Sequence, residues 1–386
     1  MKILHIALAS HFTEGMLYQE NYLLDANVAD GNEVTIITDL YHYEGSRLVK
    51  GHEEHRTMKN GVKLIRLAYD KILTERVTEK IMKCHRLKRY LKDIKPDVIL
   101  YHGACGYEMV DVAAYVKDHP QVLFFIDSHG DYTNSAMTFA SKAFFKLVHK
   151  RFIKKAKPFV TRFLSISAES SQWLNDIYGI PKEDIDFFAL GGTMYTDDQQ
   201  AKARQDIINR FALPQDVIIL AHSGKLTAGK RTADLLKAFT KVQDPRLALF
   251  VFGSIPEDQE AIIRPLMESD NRIHFMGWKV SKEIEEFLAG VDLYCQPGSQ
   301  SSTFETALCA GCVNMTWPHA TYKDPSYTDC GGDNYFYVDT ENDMVKVFNR
   351  ILNHPEELAR KKKLSYAFAD RVFNYENIAR RIYHKE

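Results

Sequence analysis

QPGSQSSTFETALCAG, Gln296 to Gly311, is the stretch whose reading decides the fold. Before it, Val291–Cys295 (VDLYC) is a short apolar run of strand type, broken by Pro297-Gly298. Ser301 and Ser302 are N-cap residues by type, and Ser302 with Glu305 spells the S-x-x-E capping box, so a helix is expected to start here. Such a helix points unpaired amides and the positive end of its dipole beyond the carboxyl end of a strand. In an open parallel sheet, ligands bind at that place. An anion is the expected occupant, and a diphosphate fits, with Ser301, Ser302 and Thr303 lining it. The plainer alternative is that Glu305 only closes the capping box.

The whole chain frames that reading. At 386 residues it is long enough for two domains. With 45% hydrophobic and 26% charged residues it has the composition of a folded globular protein. A net charge of −1 argues against a dedicated nucleic-acid binder. No apolar run reaches membrane-spanning length, and MKILHIALASHF is too short for a signal peptide, so a cytoplasmic location is expected. Six scattered cysteines suit a reducing compartment. Cys309 and Cys312 form a C-x-x-C without a second pair, at a helix end before a strand, where packing is the expected role.

In the N-terminal half, strand-like runs at Ile3–Leu8, Val34–Thr38, Val62–Leu67, Asp97–Tyr101, Val122–Ile126 and Phe163–Ser167 alternate with helical patterns. That alternation predicts an α/β domain with a parallel sheet covered on both faces. Gly15, in the loop after the first strand, lets backbone approach a ligand or makes a simple turn. No G-x-G-x-x-G follows that strand, which sets a nicotinamide oxidoreductase aside. His129 follows VLFFIDS at a strand's carboxyl end, where a histidine can hydrogen-bond a sugar hydroxyl or phosphate, act as a base, or be structural. Lys80–Lys95 and Lys142–Arg162 mix basic and apolar residues at helical spacing, as a solvated face or an anionic membrane surface would require.

In the C-terminal half, Val217–Ala221 opens a second series, followed by HSGKLTAGKRTADLLKAF. Lys225 and Lys230 are placed to reach a phosphate held by the opposite loop, or are simply solvated. The spacing is not that of a P-loop. The strands Leu247–Phe252 and Ile273–Phe275 end in Gly253-Ser254 and Met276-Gly277-Trp278, so these turns share one sheet edge with the loops around Gly224 and Gly298. Trp278 flanks a nucleobase or packs.

Taken in order, these motifs resemble the retaining GT-B glycosyltransferases of family four. GNEVTIIT (31–38), SISAESSQWLNDIYGIPKEDIDFFALGG (165–192), SGKLTAGKRTADLLKAF (223–239), VDLYCQPGSQ (291–300), GGDNYFYVDTENDM (331–344) and FNYENIARRIY (373–383) follow the family's sequence of motifs over nearly the whole chain. The resemblance implies two Rossmann-like domains with parallel sheets facing across a cleft. Residues 1–193 would bind the acceptor, residues 194–366 the nucleotide-sugar donor, and 367–386 would form a helix crossing back. It also implies that Lys225 and Lys230 clamp the donor diphosphate, that Glu305 binds the ribose, and that His129 lies near the donor sugar. Gly15, Gly224, Gly253, Trp278, Gly298, Gln300, Ser301, Ser302 and Thr303 complete the implied donor-binding set. One motif departs: the family's first Glu of its paired glutamates has no counterpart, since Pro297 stands eight positions before Glu305, and Gln300 is the candidate substitute.

The implied activity is transfer of a sugar, with retention, from a UDP- or GDP-sugar co-substrate to a hydroxyl of a glycan or lipid-linked acceptor in surface polysaccharide synthesis. No metal and no other cofactor is expected, and no hydrolase-type carboxylate pair is evident. Contact with an anionic membrane on the cytoplasmic face is the expected partner surface. Nucleotide-sugar epimerisation, donor hydrolysis, or a catalytically silent GT-B binding partner are the rival readings, the last prompted by the missing Glu.

Overall fold

The computed structural model describes residues 1–16, 18–44, 47–132, 134–135, 137–329 and 332–383, without the side chain of Ser281. Cys330, Gly331 at the head of GGDNYFYVD, and the last three residues of the 367–386 segment lie outside the described residues. The chain divides into two compact units, Met1–Ala189 with Ile378–Glu386, and Leu190–Asn377.

The strands of the first unit are β1 (Lys2–Ala7), β2 (Glu33–Thr38), β3 (Tyr41–Glu44), β4 (Arg47–Lys50), β5 (Glu54–Thr57), β6 (Lys63–Arg66), β7 (Val98–Tyr101), β8 (Leu123–Ser128), β9 (Arg162–Ser165) and β10 (Ile185–Phe187). One sheet runs β10-β9-β8-β7-β1-β2-β6-β5 and is parallel except at the β5–β6 edge. Its middle strands are apolar along their length because helices cover both faces: Val98 to Tyr101 are all buried, as are Phe124 to Ile126. Strand order reverses at β1, which lies between β2 and β7, and this makes the carboxyl ends of β1 and β7 the switch point of the sheet. β3 and β4 form a separate antiparallel ribbon, tied to the loop after β1 by the Tyr43 amide donating to Thr13 Oγ1 at 2.9 Å.

The basic segments resolve differently. Lys80–Lys95 is not one helix. Glu75–Ile81 ends at Met82 in the left-handed region (φ 55°), and Leu87–Ile94 starts afresh. Residues 139–159 wind continuously, with a wider π turn at Phe145–His149, and bury His149, Ile153 and Ala156 while exposing Lys142, Lys146, Arg151, Lys154 and Lys155. The end of the chain belongs to this unit as well. Arg380 makes a two-point contact with Asp30 (2.9 and 2.8 Å), and the Tyr383 hydroxyl donates to the same carboxylate at 2.7 Å.

In the second unit, β11 (Ile218–Lys225), β12 (Leu247–Ser254), β13 (Ile273–Gly277), β14 (Leu293–Gln296), β15 (Val313–Thr316) and β16 (Phe336–Tyr337) form a parallel sheet in the order β13-β12-β11-β14-β15-β16. Here the switch point lies between β11 and β14, so the loops that follow those strands are neighbours. The helix expected after β14 runs Thr303–Cys309 and buries Phe304, Ala307 and Leu308. Phe304 stacks on Tyr322 (centroids 4.1 Å, 12°) and meets Tyr335 edge-on. Cys309 and Cys312 are fully buried, each thiol donating to a different carbonyl, that of Phe373 or Leu288, so this pair packs. Phe304→Ala should destabilise the second unit by about 3–5 kcal/mol, because it opens a cavity under the helix. A urea melt in which the variant and the parent coincide would show that this packing does not hold the loop in place.

Candidate active site

The loop after β11 and the loop after β14 touch through backbone. The Ser299 amide donates to the Gly229 carbonyl at 2.8 Å, and Arg231 Nη1 donates to the Pro297 carbonyl at 3.1 Å. Glycine permits this approach: a Cβ on Gly298 would lie 2.2 Å from the Gly229 carbonyl oxygen. Gly224 and Gly253 face each other in the β11–β12 register, both with positive φ (136° and 129°), and a Cβ on Gly253 would meet the Gly224 carbonyl oxygen at 1.8 Å. The strand ends are thereby pressed together at the rim of the sheet.

Lys230 crosses the gap. Its ammonium donates to the carbonyls of Ser299 (3.1 Å) and Gln300 (2.6 Å), and its stem runs beside Gly224. Burial lowers its pKa from the ordinary lysine value, since no carboxylate offsets the lost hydration. Lys225, by contrast, is the exposed last residue of β11. Gln300 turns its amide onto Thr321 Oγ1 (2.8 Å) and His319 Nδ1 (3.1 Å). Trp278 follows β13 with 70% of its surface exposed, so it does not pack within this unit.

The helix start differs from the sequence expectation. Ser302 is itself helical (φ −62°, ψ −13°) and makes no side-chain cap, so the Ser302–Glu305 capping box does not form. Ser301 takes the turn instead: its hydroxyl accepts from the Thr303 amide at 3.4 Å, and its carbonyl accepts from the Phe304 amide at 3.0 Å. Thr303 Oγ1 in turn accepts from Ser223 (3.2 Å) and Ser301 (3.3 Å). Two first-turn amides therefore already have local partners, one of them at long range. Glu305 points inward. It is buried, its Oε2 has no hydrogen-bond partner, and burial pushes its carboxyl up to about 8.

His222 was not singled out in the sequence, yet it holds these loops from behind. Its Nδ1 donates to the Cys295 carbonyl at 2.7 Å and its Nε2 meets Thr232 Oγ1 at 2.9 Å, joining β11, β14 and the next helix (Thr232–Thr240). Burial lowers its pKa to about 4, so it serves as a neutral strut. No spacing rule flags it; only the strand pairing brings its partners together.

In the first unit, His129 directly follows β8, as expected. Its Nε2 is buried without a hydrogen-bond partner among the described residues, while its carbonyl accepts from Asn134 Nδ2 at 2.9 Å. Gly15 makes a left-handed turn (φ 77°), its amide donating to Asn21 Oδ1 at 3.2 Å. A buried polar chain also escaped the sequence reading: Asn27 Nδ2 to His5 Nε2 (2.9 Å), His5 Nδ1 to His102 Nε2 (3.0 Å), and His102 Nδ1 to Asp127 Oδ2 (2.6 Å). Burial drives the Asp127 carboxyl up, but the His102 imidazole, helped by His129, outweighs it and holds the group below the usual range. Among the described residues, no group of three or more His, Cys, Asp or Glu side chains is placed to hold a metal ion, and no helix is long and apolar enough to cross a membrane.

The sequence matches no protein-family model and no curated protein. Solved structures do match, over nearly the full length. HepE of Anabaena in complex with UDP shares 15% identity over 99% of this chain and 98% of its own, with a TM-score of 0.64. Sucrose-phosphate synthase of Thermosynechococcus elongatus shares 14% over 99% and 97%, at 0.63. The fold is GT-B. UDP-GlcNAc 2-epimerase of Neisseria meningitidis, solved with UDP-GlcNAc, is similar as well (13%, 99% and 98%, TM-score 0.59), so GT-B structures of more than one activity resemble this chain.

Glu305 offers a test of the geometry. Its folded pKa of about 8 lies above its ordinary 4.5, so the folded state keeps a proton that the unfolded chain loses. The stability it contributes is full below 4.5 and is lost as pH rises through about 8. Glu305→Gln should flatten the decline in stability across that window, read by denaturant unfolding on either side of it. An unchanged slope would mean that Glu305 is solvated.

Proposed function

We propose that this chain is a glycosyltransferase that moves a sugar from a nucleoside-diphosphate donor, UDP- or GDP-linked, to a hydroxyl of a glycan or lipid-linked acceptor. The observation that carries the proposal is the Lys230 ammonium, half-buried at the switch point of the second unit, whose hydrogen bonds among the described residues go to carbonyl dipoles. A diphosphate oxygen is a stronger partner for that charge than a peptide carbonyl. As the glycosidic bond breaks, negative charge grows on the leaving diphosphate, and a preorganised cation there lowers the barrier. Lys225, exposed at the end of β11, supplies a second ammonium on a flexible stem. Gly224, Gly253 and Gly298 keep the rim open to phosphate; Ser301, Ser302 and Thr303 offer hydroxyls, Gln300 an amide, and Trp278 an exposed ring. Glu305, once ionised or as a neutral acid, is the candidate partner of the ribose hydroxyls. His129, in the first unit, offers its unpartnered Nε2 to a sugar hydroxyl.

Retention follows the family-four motifs, with the departing phosphate taking the acceptor's proton on the same face and no metal required. HepE was solved with UDP, with UDP and glucose, and with UDP-glucose, which supports a nucleotide-sugar donor here. WaaG, another structure of this fold, is a glycosyltransferase of lipopolysaccharide biosynthesis, which supports a role in surface polysaccharide synthesis. The similarity to the epimerase, with the missing first Glu, supports a second reading in which the bound nucleotide sugar is epimerised or hydrolysed. A silent binding partner is the third.

For a cytoplasmic enzyme meeting a lipid-linked acceptor, the face of residues 139–159 suits an anionic membrane. It exposes lysines beside Phe139, 91% exposed, and Leu147. Sedimentation with phosphatidylglycerol vesicles should carry the protein down at low salt; recovery in the supernatant would remove the membrane from the proposal.

The first experiment is a thermal-shift scan with UDP and GDP. Ligand at ~100 Kd should stabilise by about 2.7 kcal/mol, and no shift with either nucleotide would favour the silent partner. With an active donor, mass spectrometry of a sugar-lengthened acceptor separates transfer from epimerisation and hydrolysis. Lys230→Ala and Lys225→Ala should each lower kcat by roughly 10²–10³, as loss of one contact to a developing oxyanion does. Near-parental turnover of both would reject the assigned role of the lysines.

A further inference from the structure

Beside the switch point of the first unit stands an imidazole with a carboxylate behind it. His11, in the loop after β1, has φ 54°, a left-handed conformation that side chains other than glycine rarely adopt. It aims Nδ1 at Asp39 Oδ2, 2.6 Å away. Asp39, just past β2, is 1% exposed, whereas the His11 side chain is 37% exposed. The β1–β2 register, with Ala7 opposite Thr38, is what brings the two residues together.

The surrounding donors fix the protonation of this pair. Asp39 Oδ1 accepts from the Tyr41 amide at 3.1 Å, and the Tyr69 hydroxyl lies 2.9 Å from Oδ2. The Arg66 guanidinium donates to the Asp39 carbonyl at 3.2 Å. A carboxylate so placed accepts from His11, so Nδ1 carries the hydrogen, and in the neutral ring Nε2 keeps its lone pair. This is the arrangement that receives an O–H from outside.

An aromatic ring flanks it. Tyr41 lies with its centroid 5.3 Å from the His11 ring. Tyr41 and Tyr43 alternate along β3 and so share one face of the ribbon. Tyr43 pins that ribbon to the His11 loop through Thr13. A sugar ring has an apolar C–H face and an edge of hydroxyls, and a tyrosine ring beside one hydrogen-bond acceptor matches both.

We propose that His11, positioned by Asp39 and flanked by Tyr41, binds a carbohydrate, one sugar hydroxyl donating to His11 Nε2. In the glycosyltransferase reading, on which the word rests, that carbohydrate is the acceptor. The groups facing His11 set its pH behaviour. The hydrogen bond to Asp39 raises its pKa from the ordinary histidine value against the effect of burial, and the charges of Asp39 and Glu79 add to the rise. Lys50 stands over the Tyr41 ring, whose hydroxyl donates to Glu79 at 2.5 Å. Protonation removes the lone pair, so binding weakens as pH falls through that raised value.

The test uses the full chain with histidine-selective ¹⁵N labelling and methyl glycosides of glucose, galactose, mannose and N-acetylglucosamine as probes. The expected result is that at least one glycoside shifts the His11 imidazole signals. Its affinity should fall about tenfold in His11→Ala and be largely restored in His11→Gln, whose amide oxygen can accept. Asp39→Asn should weaken binding and move the pH midpoint down, which loss of folding alone would not do. If no glycoside moves the His11 signals, or if His11→Ala binds as the parent does, the inference is overturned. The UDP and GDP thermal shift is read on the same samples. Its absence in the parent would fault the transferase reading while leaving the glycoside result to stand or fall alone.

Discussion

One ammonium held by two peptide carbonyls governs the second unit. Lys230 meets Ser299 and Gln300 because the loops after β11 and β14 are adjacent at the point where strand order reverses, and because glycine lets them close to backbone contact. Among the described residues no carboxylate pairs with this charge, and partial burial lowers its pKa. In the proposed donor complex a diphosphate oxygen would replace those carbonyls as the partner of this ammonium. His222 behind, neutral and hydrogen-bonded at both ring nitrogens, ties β11 to β14 and to the helix that begins at Thr232.

The first unit solves a different problem, that of carrying polar groups through an apolar sheet. Asn27, His5, His102 and Asp127 are all buried, and each satisfies the next. The charge is confined to the far end. Burial and the neighbouring His102 push His5 well below the ordinary histidine pKa, while Asp127 overcomes burial to raise His102. A buried pair of this kind adds little net stability, but losing one partner is costly because it leaves the other buried and unpaired.

Most of the strand order could be read from the chain because buried parallel strands are written as unbroken apolar runs between turn residues. Ile3–Leu8 and Val291–Cys295 anticipated β1 and β14 to within one or two residues at each end. The ribbon β3–β4 and the edge strand β5 were not anticipated, since YHYE, RLVK and EHRT carry no such pattern. The motif around Ser302 and Glu305 shows why local rules fail at sites. Spacing predicts a capping box, but Ser301 turns the chain one residue earlier and leaves Glu305 to the core. His11 and Asp39 were invisible for a simpler reason. They are 28 residues apart, and only the register of two strands makes them neighbours.

The clasp of Arg380 and Tyr383 on Asp30 has a consequence for how the molecule is made. Its partners are 350 and 353 residues apart, with the whole second unit encoded between them. During synthesis the second unit can assemble as one continuous stretch, while the first must wait with an unfilled flank until its final segment emerges. The inserted unit is thus positioned to mature earlier, and the unit that encloses it in sequence is completed after it.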